Sequence, residues 1–237
     1  MTEHMNKQAA QLPAFRPVRP SARLAVGGLL LAGAAWGVRA AWEFRLFLAG
    51  EPASGPPDQG EGVHRPLNAL ENSYHAVSSL AGGAVVVCGL LFVSWLWLLR
   101  DNARALSGQP PRYLGIWVIL GWFFPIVSFW FPRGIVVDAF RAGEPGRRVP
   151  LSVEVWWGLW LIGMVSGVGI VARDTTDELI ARAYTEVWPL LASDAAVIGA
   201  AVAGVFAVLA VSRSQEARIR AARAVPSAEA VGTPAPA

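Results

Sequence analysis

The chain has 237 residues, 54% of them hydrophobic and only 16% charged. An ordinary soluble domain carries about 25% charged residues, so this balance excludes a disordered chain, a disulfide framework and a soluble catalytic domain, and points to a membrane. The formal charge of +3 rests almost wholly on Arg, with a single Lys at Lys7. The Arg are scattered between apolar runs with no basic face interleaved with aromatics, which speaks for orientation in a bilayer and against a nucleic-acid partner.

In chain order, residues 1–22 are polar, Pro-interrupted and basic through Lys7, Arg16 and Arg19, and read as a flexible cytoplasmic tail. A transmembrane domain is expected over 23–212. Its first span, 24–42, gives about 28 Å of helix. The length of the preceding tail and the lack of a small-x-small cleavage site favour an uncleaved anchor over a signal peptide. The run 76–99 is free of charge and long enough to cross with some tilt. Two more spans, 155–172 and 195–211, are just long enough. Residues 213–237 read as a cytoplasmic tail, first basic and then rich in Ala and Pro.

The segment 113–131 differs, because Pro125 sits inside it and Pro132 closes it. Proline removes an amide donor and clashes with the preceding turn, so a continuous helix should break or kink there. Loop charges arbitrate. Glu51, Asp58, Glu61 and Glu71 face only Arg65 in one loop, and Asp174, Asp177, Glu178, Glu186 and Asp194 outnumber Arg173 and Arg182 in another. Both read as external. Basic residues gather in the N-terminal tail, at Arg100, Arg104 and Arg112, from Arg133 to Arg148, and from Arg213 to Arg223, which places all four regions in the cytoplasm. Four spans with a Pro-broken segment that enters and leaves from the cytoplasmic face satisfy every loop. The alternative, a kinked fifth span, puts the tails on opposite sides. The fold expected is therefore all-α, a polytopic transmembrane bundle with both termini inside.

Two further helices are expected at the interface. Thr175 and Glu178 match a capping box, and Ile180, Ala183, Val187 and Leu191 follow at helical spacing until Pro189. Pro132 is suited to start a helix that carries Ile135, Val136 and Phe140, with Asp138 and Arg141 a turn apart. Trp42 and Trp188 fall at the external boundary, and Trp95, Trp97, Trp156 and Trp157 at the cytoplasmic one.

For chemistry the sequence offers little. Arg39 and Glu43 lie four apart near the external end of the first span, a possible intramembrane polar pair by default and a local ion pair by spacing. The other three apolar runs hold no Asp, Glu, Lys, Arg or His, which removes the usual relay of a proton-coupled pump. His64, His75, Glu61 and Glu71 match no zinc spacing, Ser78 and Ser79 have no nucleophile elbow, and Cys88 stands alone as a small buried hydrophobe. Gly33 and Gly37, Ser79 and Gly83, Gly163 and Gly167, and Ala200 and Gly204 have the small-xxx-small spacing of close helix contacts. No catalytic, cofactor-binding or metal-binding residue is assigned, and an enzyme is not expected.

The stretches RDNARAL from Arg100, GWFFPIVSFWFP from Gly121, GIVVDAFRAG from Gly134 and WWGLW from Trp156 together resemble the family called domain of unknown function 4328. The resemblance implies a multi-pass bacterial membrane protein with no established activity. This chain departs from many relatives in its short tail, where they carry a long Pro- and Gly-rich extension. Its motif residues have a structural role to fill. Arg100 and Asn102 are placed to satisfy backbone groups freed by the broken helix. Pro125 and Pro132 set the bends, Trp122 and Trp130 hold the hairpin at the interface, and Asp138 with Arg141 docks the following helix. The function expected is a non-enzymatic module of the cell membrane that organises or contacts lipids, further copies of itself or other membrane proteins, with a small-solute transporter or channel subunit as the rival.

Overall fold

The computed structural model describes residues 15–107, 115–122, 129–165 and 175–224. Among the described residues the secondary structure is helical, with no strand, and the longest stretch outside the helices is the 50–68 loop. Helix α1 (Arg19–Ala49) starts with Pro20 in its first turn, where a missing amide hydrogen costs nothing. It stops at Gly50, whose φ of 73° suits glycine and whose amide closes on the Leu46 carbonyl at 3.1 Å. Helix α2 (Ala69–Ser107) starts on a reciprocal cap. Asn68 Oδ1 accepts from the Leu70 and Glu71 amides, and the Glu71 carboxylate accepts from the Asn68 amide. Then follow α3 (Trp117–Leu120), α4 (Phe131–Gly143), α5 (Leu151–Val165), α6 (Thr176–Thr185) and α7 (Val187–Ala224).

Three of these, α1, α2 and α7, are long and apolar enough to cross a membrane, and α5 is a shorter apolar helix. At 31, 39 and 38 residues the three exceed the expected spans at both ends and reach about 46 to 58 Å, well beyond the roughly 30 Å of a hydrocarbon core. The apolar runs marked only their middles. Residues 213–224, expected as tail, are the last turns of α7. The expected third span begins four residues earlier, at Leu151, and its part beyond Val165 lies outside the described residues.

Small residues set the helix approach. A Cβ on Gly28 would lie 3.1 Å from the Cys88 Cα, and one on Gly33 would lie 3.1 Å from the Ala201 Cβ, so α1 passes close to both α2 and α7. Gly163 faces Val197, Gly199 faces Leu159 and Gly204 faces Trp156, which runs α5 antiparallel to α7. Of the predicted small-residue positions, Gly33, Gly163 and Gly204 sit at such contacts, whereas Gly37 and Gly83 have no neighbour within 4 Å. Outward, Leu80, Val86, Leu90 and Phe206 are all at least 60% exposed, an apolar surface suited to lipid rather than water.

The main core lies toward the C-terminal ends of α2 and α7, where Trp95, Leu96, Leu99, Val118, Val136, Phe140, Val153, Val208 and Val211 are buried together. Aromatic rings fill its centre: Phe92 lies 5.0 Å from Trp95 and 5.2 Å from Trp156, and Trp122 lies 5.4 Å from Trp160. Trp95, Trp156 and Trp157, expected at a boundary, are buried in this core.

The segment around the prolines is not one helix. α3 spans only four residues and ends at Leu120, ahead of a turn at Gly121 and Trp122 and well before Pro125, which lies outside the described residues. A Cβ on Gly121 would meet the Trp117 carbonyl oxygen at 2.6 Å and the Phe131 Cβ at 3.2 Å, so the tight turn that ends α3, with α4 close against it, leaves no room for a side chain there. Gly115 lies beside Trp97 and Arg100, Trp122 reaches inward to Phe92, and Trp117 stacks near Phe131 at 4.9 Å. Helices α3 and α4 therefore both sit in the half of the bundle where α2 ends and α5 begins.

Candidate functional site

Polar side chains are buried at both ends of the bundle. At one end, Arg39 and Glu43 of α1 meet Tyr74 of α2 and Asp194 of α7. Arg39 is 3% exposed, and the other three are fully buried. Arg39 Nη2 lies 2.8 Å from Glu43 Oε1, and its Nη1 lies 3.6 Å from Asp194 Oδ1. The Tyr74 hydroxyl donates to Glu43 Oε1 at 2.8 Å, and the Trp36 ring stands 5.1 Å from the guanidinium carbon. The predicted pair is present and is half of the arrangement. Asp194, counted with the loop charges, belongs to the first turns of α7, and Tyr74 belongs to α2, which begins before its apolar run. Trp36 Nε1 and the Glu43 carboxyl stand beside Asp194, and Ser78 beside Tyr74, but Trp36 Nε1, Ser78 Oγ, Glu43 Oε2 and both Asp194 oxygens make no hydrogen bond of full geometry among the described residues.

A second polar knot closes this end. Arg65 grips the Glu71 carboxylate with two nitrogens at 2.8 and 2.6 Å and donates to the Gly55 carbonyl, while the Tyr184 hydroxyl donates to Glu71 Oε1 at 2.9 Å. Hydrogen bonding to Glu71 pushes the Arg65 pKa above its ordinary value. Burial, with the Glu71 carboxylate beside it, pushes the Tyr184 phenol up to about 12, so it remains a donor through the neutral range. His64 Nδ1 lies 3.0 Å from Asp177 and joins the 50–68 loop to α6. The capping box of α6 is present, with Glu178 donating its amide to Thr175 Oγ1. The helix ends at Thr185, earlier than expected, and Val187 starts α7. Pro189 falls in the first turn of α7, where it does not interrupt helical bonding. Ile180 and Ala183 are buried with Leu46, Tyr74 and Leu190, so α6 packs on the bundle.

At the opposite end the buried groups are neutral. Gln215 Nε2 donates to the Leu99 and Ala139 carbonyls at 2.9 and 3.3 Å and ties α7 to α2 and α4. Trp95 Nε1 donates to Ser212 Oγ at 3.0 Å, and Ser214 Oγ donates to the Phe140 carbonyl. Asn102 exchanges two bonds of 3.0 Å with the amide and carbonyl of Arg16. It satisfies the peptide leading into α1, not a group of the described part of the broken segment. RDNARAL belongs to α2, which runs on past the apolar run to Ser107.

The other motif residues have these places. Arg100 lies against Gly115, Trp122 is in the aromatic core, Trp130 is 64% exposed just ahead of α4, and Pro132 is in the first turn of α4. Asp138 and Arg141 stand a turn apart on α4. Arg133 links α4 to α5, its Nε and Nη2 holding Glu154 at 2.8 and 2.5 Å. That bidentate bond pushes the Arg133 pKa up. Arg133 counts in the sequence only as one of a basic cluster; its pairing with Glu154, 21 residues on, is made by the fold. Among the described residues no group of three or more His, Cys, Asp and Glu side chains is placed to hold a metal ion. Of the four residues weighed as an external cluster, His64 pairs with Asp177 and Glu71 is committed to Arg65 and Tyr184.

An apolar helical bundle with membrane-length helices and polar groups buried at both ends defines the class, a chain built for a bilayer. The model of the family described as Domain of unknown function (DUF4328) matches residues 66–213, and the chain belongs to that family. The match takes in Tyr74, Asn102 and Asp194 and leaves Arg39, Glu43 and Gln215 outside it. No curated protein and no solved structure matches the chain.

Proposed function

We propose that the chain is a four-span protein of the bacterial cytoplasmic membrane with both termini in the cytoplasm, and that it acts as a non-enzymatic module. It organises or contacts lipids, further copies of itself or other membrane proteins through the broken segment and the adjoining helix ends. One observation carries this reading: the start of α1, the end of α2, helices α3 and α4, the start of α5 and the end of α7 all meet at the Gln215 end. There Asn102 bonds Arg16, and Arg223 reaches the Phe15 carbonyl at 3.3 Å. The connection between α2 and α5 thus leaves and returns at one end, which supports a re-entrant element over a fifth span. Exposed Arg104, Arg141, Arg148, Arg213, Arg218 and Arg220 cluster at that end, whereas Glu51, Asp58, Glu61, Asp177 and Glu178 are carried at the other. The positive-inside rule then assigns the Gln215 end to the cytoplasm.

The test is affinity purification of the full chain from a mild detergent, with co-purifying proteins and lipids identified. A defined set whose recovery falls in Arg141→Ala plus Arg148→Ala supports the module. The second reading, a transporter or channel subunit, draws on the buried Arg39, Glu43 and Asp194. Solute or ion flux in reconstituted vesicles that disappears in Glu43→Gln would overturn the first reading in favour of the second.

A further inference from the structure

Charge counting at the Asp194 end leaves a remainder. Two carboxylates, Glu43 and Asp194, share one buried guanidinium, Arg39, and all three side chains are at most 3% exposed. The groups facing them from the packed helices are Trp36 from α1, Tyr74 and Ser78 from α2 and, beyond Tyr74, the Arg65, Glu71 and Tyr184 knot. That knot carries its own balanced pair, Arg65 with Glu71, so it supplies no further positive charge. His75 is exposed on the outer face of α2. With both carboxylates ionised, the cluster would hold one uncompensated negative charge away from water, a state that proteins avoid by taking up a neutralising ion.

The two carboxylates are not equivalent. Glu43 Oε1 has the guanidinium at 2.8 Å and the Tyr74 hydroxyl donating at 2.8 Å. Asp194 has its guanidinium nitrogen farther off, at 3.6 Å, with the Trp36 indole and the Glu43 carboxyl beside it, and neither of its oxygens has a hydrogen bond of full geometry. Glu43 is therefore built to be a carboxylate, and Asp194 is not. A metal ion is disfavoured at this place, because the guanidinium already occupies the flank of Asp194 and no three-residue ligand group is present among the described residues. We propose that this cluster is a binding site for one proton, held on the carboxyl of Asp194, while Glu43 remains ionised against Arg39. The Glu43 carboxyl, whose Oε2 makes no other hydrogen bond, stands beside Asp194 as the acceptor for that proton. Proton uptake makes the cluster neutral, one positive against one negative, and lets α1 and α7 close on each other; proton release needs that seam to open to water. Asp194 lies in the region matched by the family model, and Arg39 and Glu43 lie outside it, so the site is assembled between the matched part and α1.

The experiment is infrared spectroscopy of the full chain in phosphatidylethanolamine and phosphatidylglycerol vesicles, in water and in deuterium oxide. At pH 7 a protonated-carboxyl stretch that shifts on deuteration is expected. It should disappear in Asp194→Asn and persist in Asp58→Asn, an exposed control. It should also disappear in Glu43→Gln, because Arg39 then has one carboxylate left and Asp194 ionises to pair with it. Asp194→Asn imitates the protonated side chain, so its thermal midpoint should stay within a few degrees of the parent. Absence of the band in the parent chain, or its survival in either Asp194→Asn or Glu43→Gln, would overturn the proposal. The parent-chain spectrum decides even where a variant fails to fold.

Discussion

At the Asp194 end, three helices bury a guanidinium with carboxylates and a phenol; at the Gln215 end, four segments are joined by amides, hydroxyls and an indole. The first arrangement is brittle. A buried charge deprived of its partner costs about 3–5 kcal/mol, whereas a neutral donor or acceptor left unpaired costs about 1–3 kcal/mol. The second tolerates single losses because each bond stands on packing that survives it: Gln215, Trp95 and Ser212 are held among Leu99, Phe140 and Val211. Two ends of one bundle thus differ in what a single substitution can do to them, and that difference separates a site that must keep its charge from a junction that must keep its shape.

Arg39→Met should be the most damaging change, lowering stability by about 3–5 kcal/mol because Glu43 is left buried without its cation. Folded yield in membranes and the detergent thermal midpoint check it, and a change no larger than that of Gln215→Leu would erase the distinction between the ends. Asn102→Ala removes two bonds to the Arg16 peptide and should cost about 1–3 kcal/mol. Limited proteolysis should then cut near Arg16 first, and normal yield with a lost cellular phenotype would point instead to ligand contact at Asn102. Gln215→Leu keeps the volume and frees two carbonyls, so a loss of about 1–2 kcal/mol is expected, read as a lower midpoint with the fold retained. Glu154→Gln should have the smallest effect, below about 1 kcal/mol, since both partners are 40% exposed and screened by solvent.

How far the sequence carried this structure depended on distance along the chain. The all-helical bundle, the apolar middles of its helices and the family motif were legible from runs and spacing. So were the α6 capping box and the Arg39 and Glu43 pair, because each of these is local. The helix ends were not, since α2 starts on a polar cap at Asn68 and Glu71, and α7 continues through Arg213 and Arg220, where hydropathy falls silent. Asp194 stands one residue before an apolar run and therefore counts as a loop charge until packing buries it. Tyr74 looks like a lone aromatic ahead of a span. What joins them to Arg39 is the antiparallel crossing of α1 with α2 and α7, a tertiary fact that no periodicity contains. Gln215 was hidden in the same way, inside a stretch whose composition reads as tail.

The central claim is that the connection between α2 and α5 returns to the side it left. It is tested most directly by single cysteines in a Cys88→Ala background, probed in intact cells with a membrane-impermeant maleimide. The account predicts labelling of Val63→Cys from outside and protection of both Arg148→Cys and Arg220→Cys until the membrane is permeabilised. Labelling of Arg148→Cys from outside, with Arg220→Cys still protected, would contradict it.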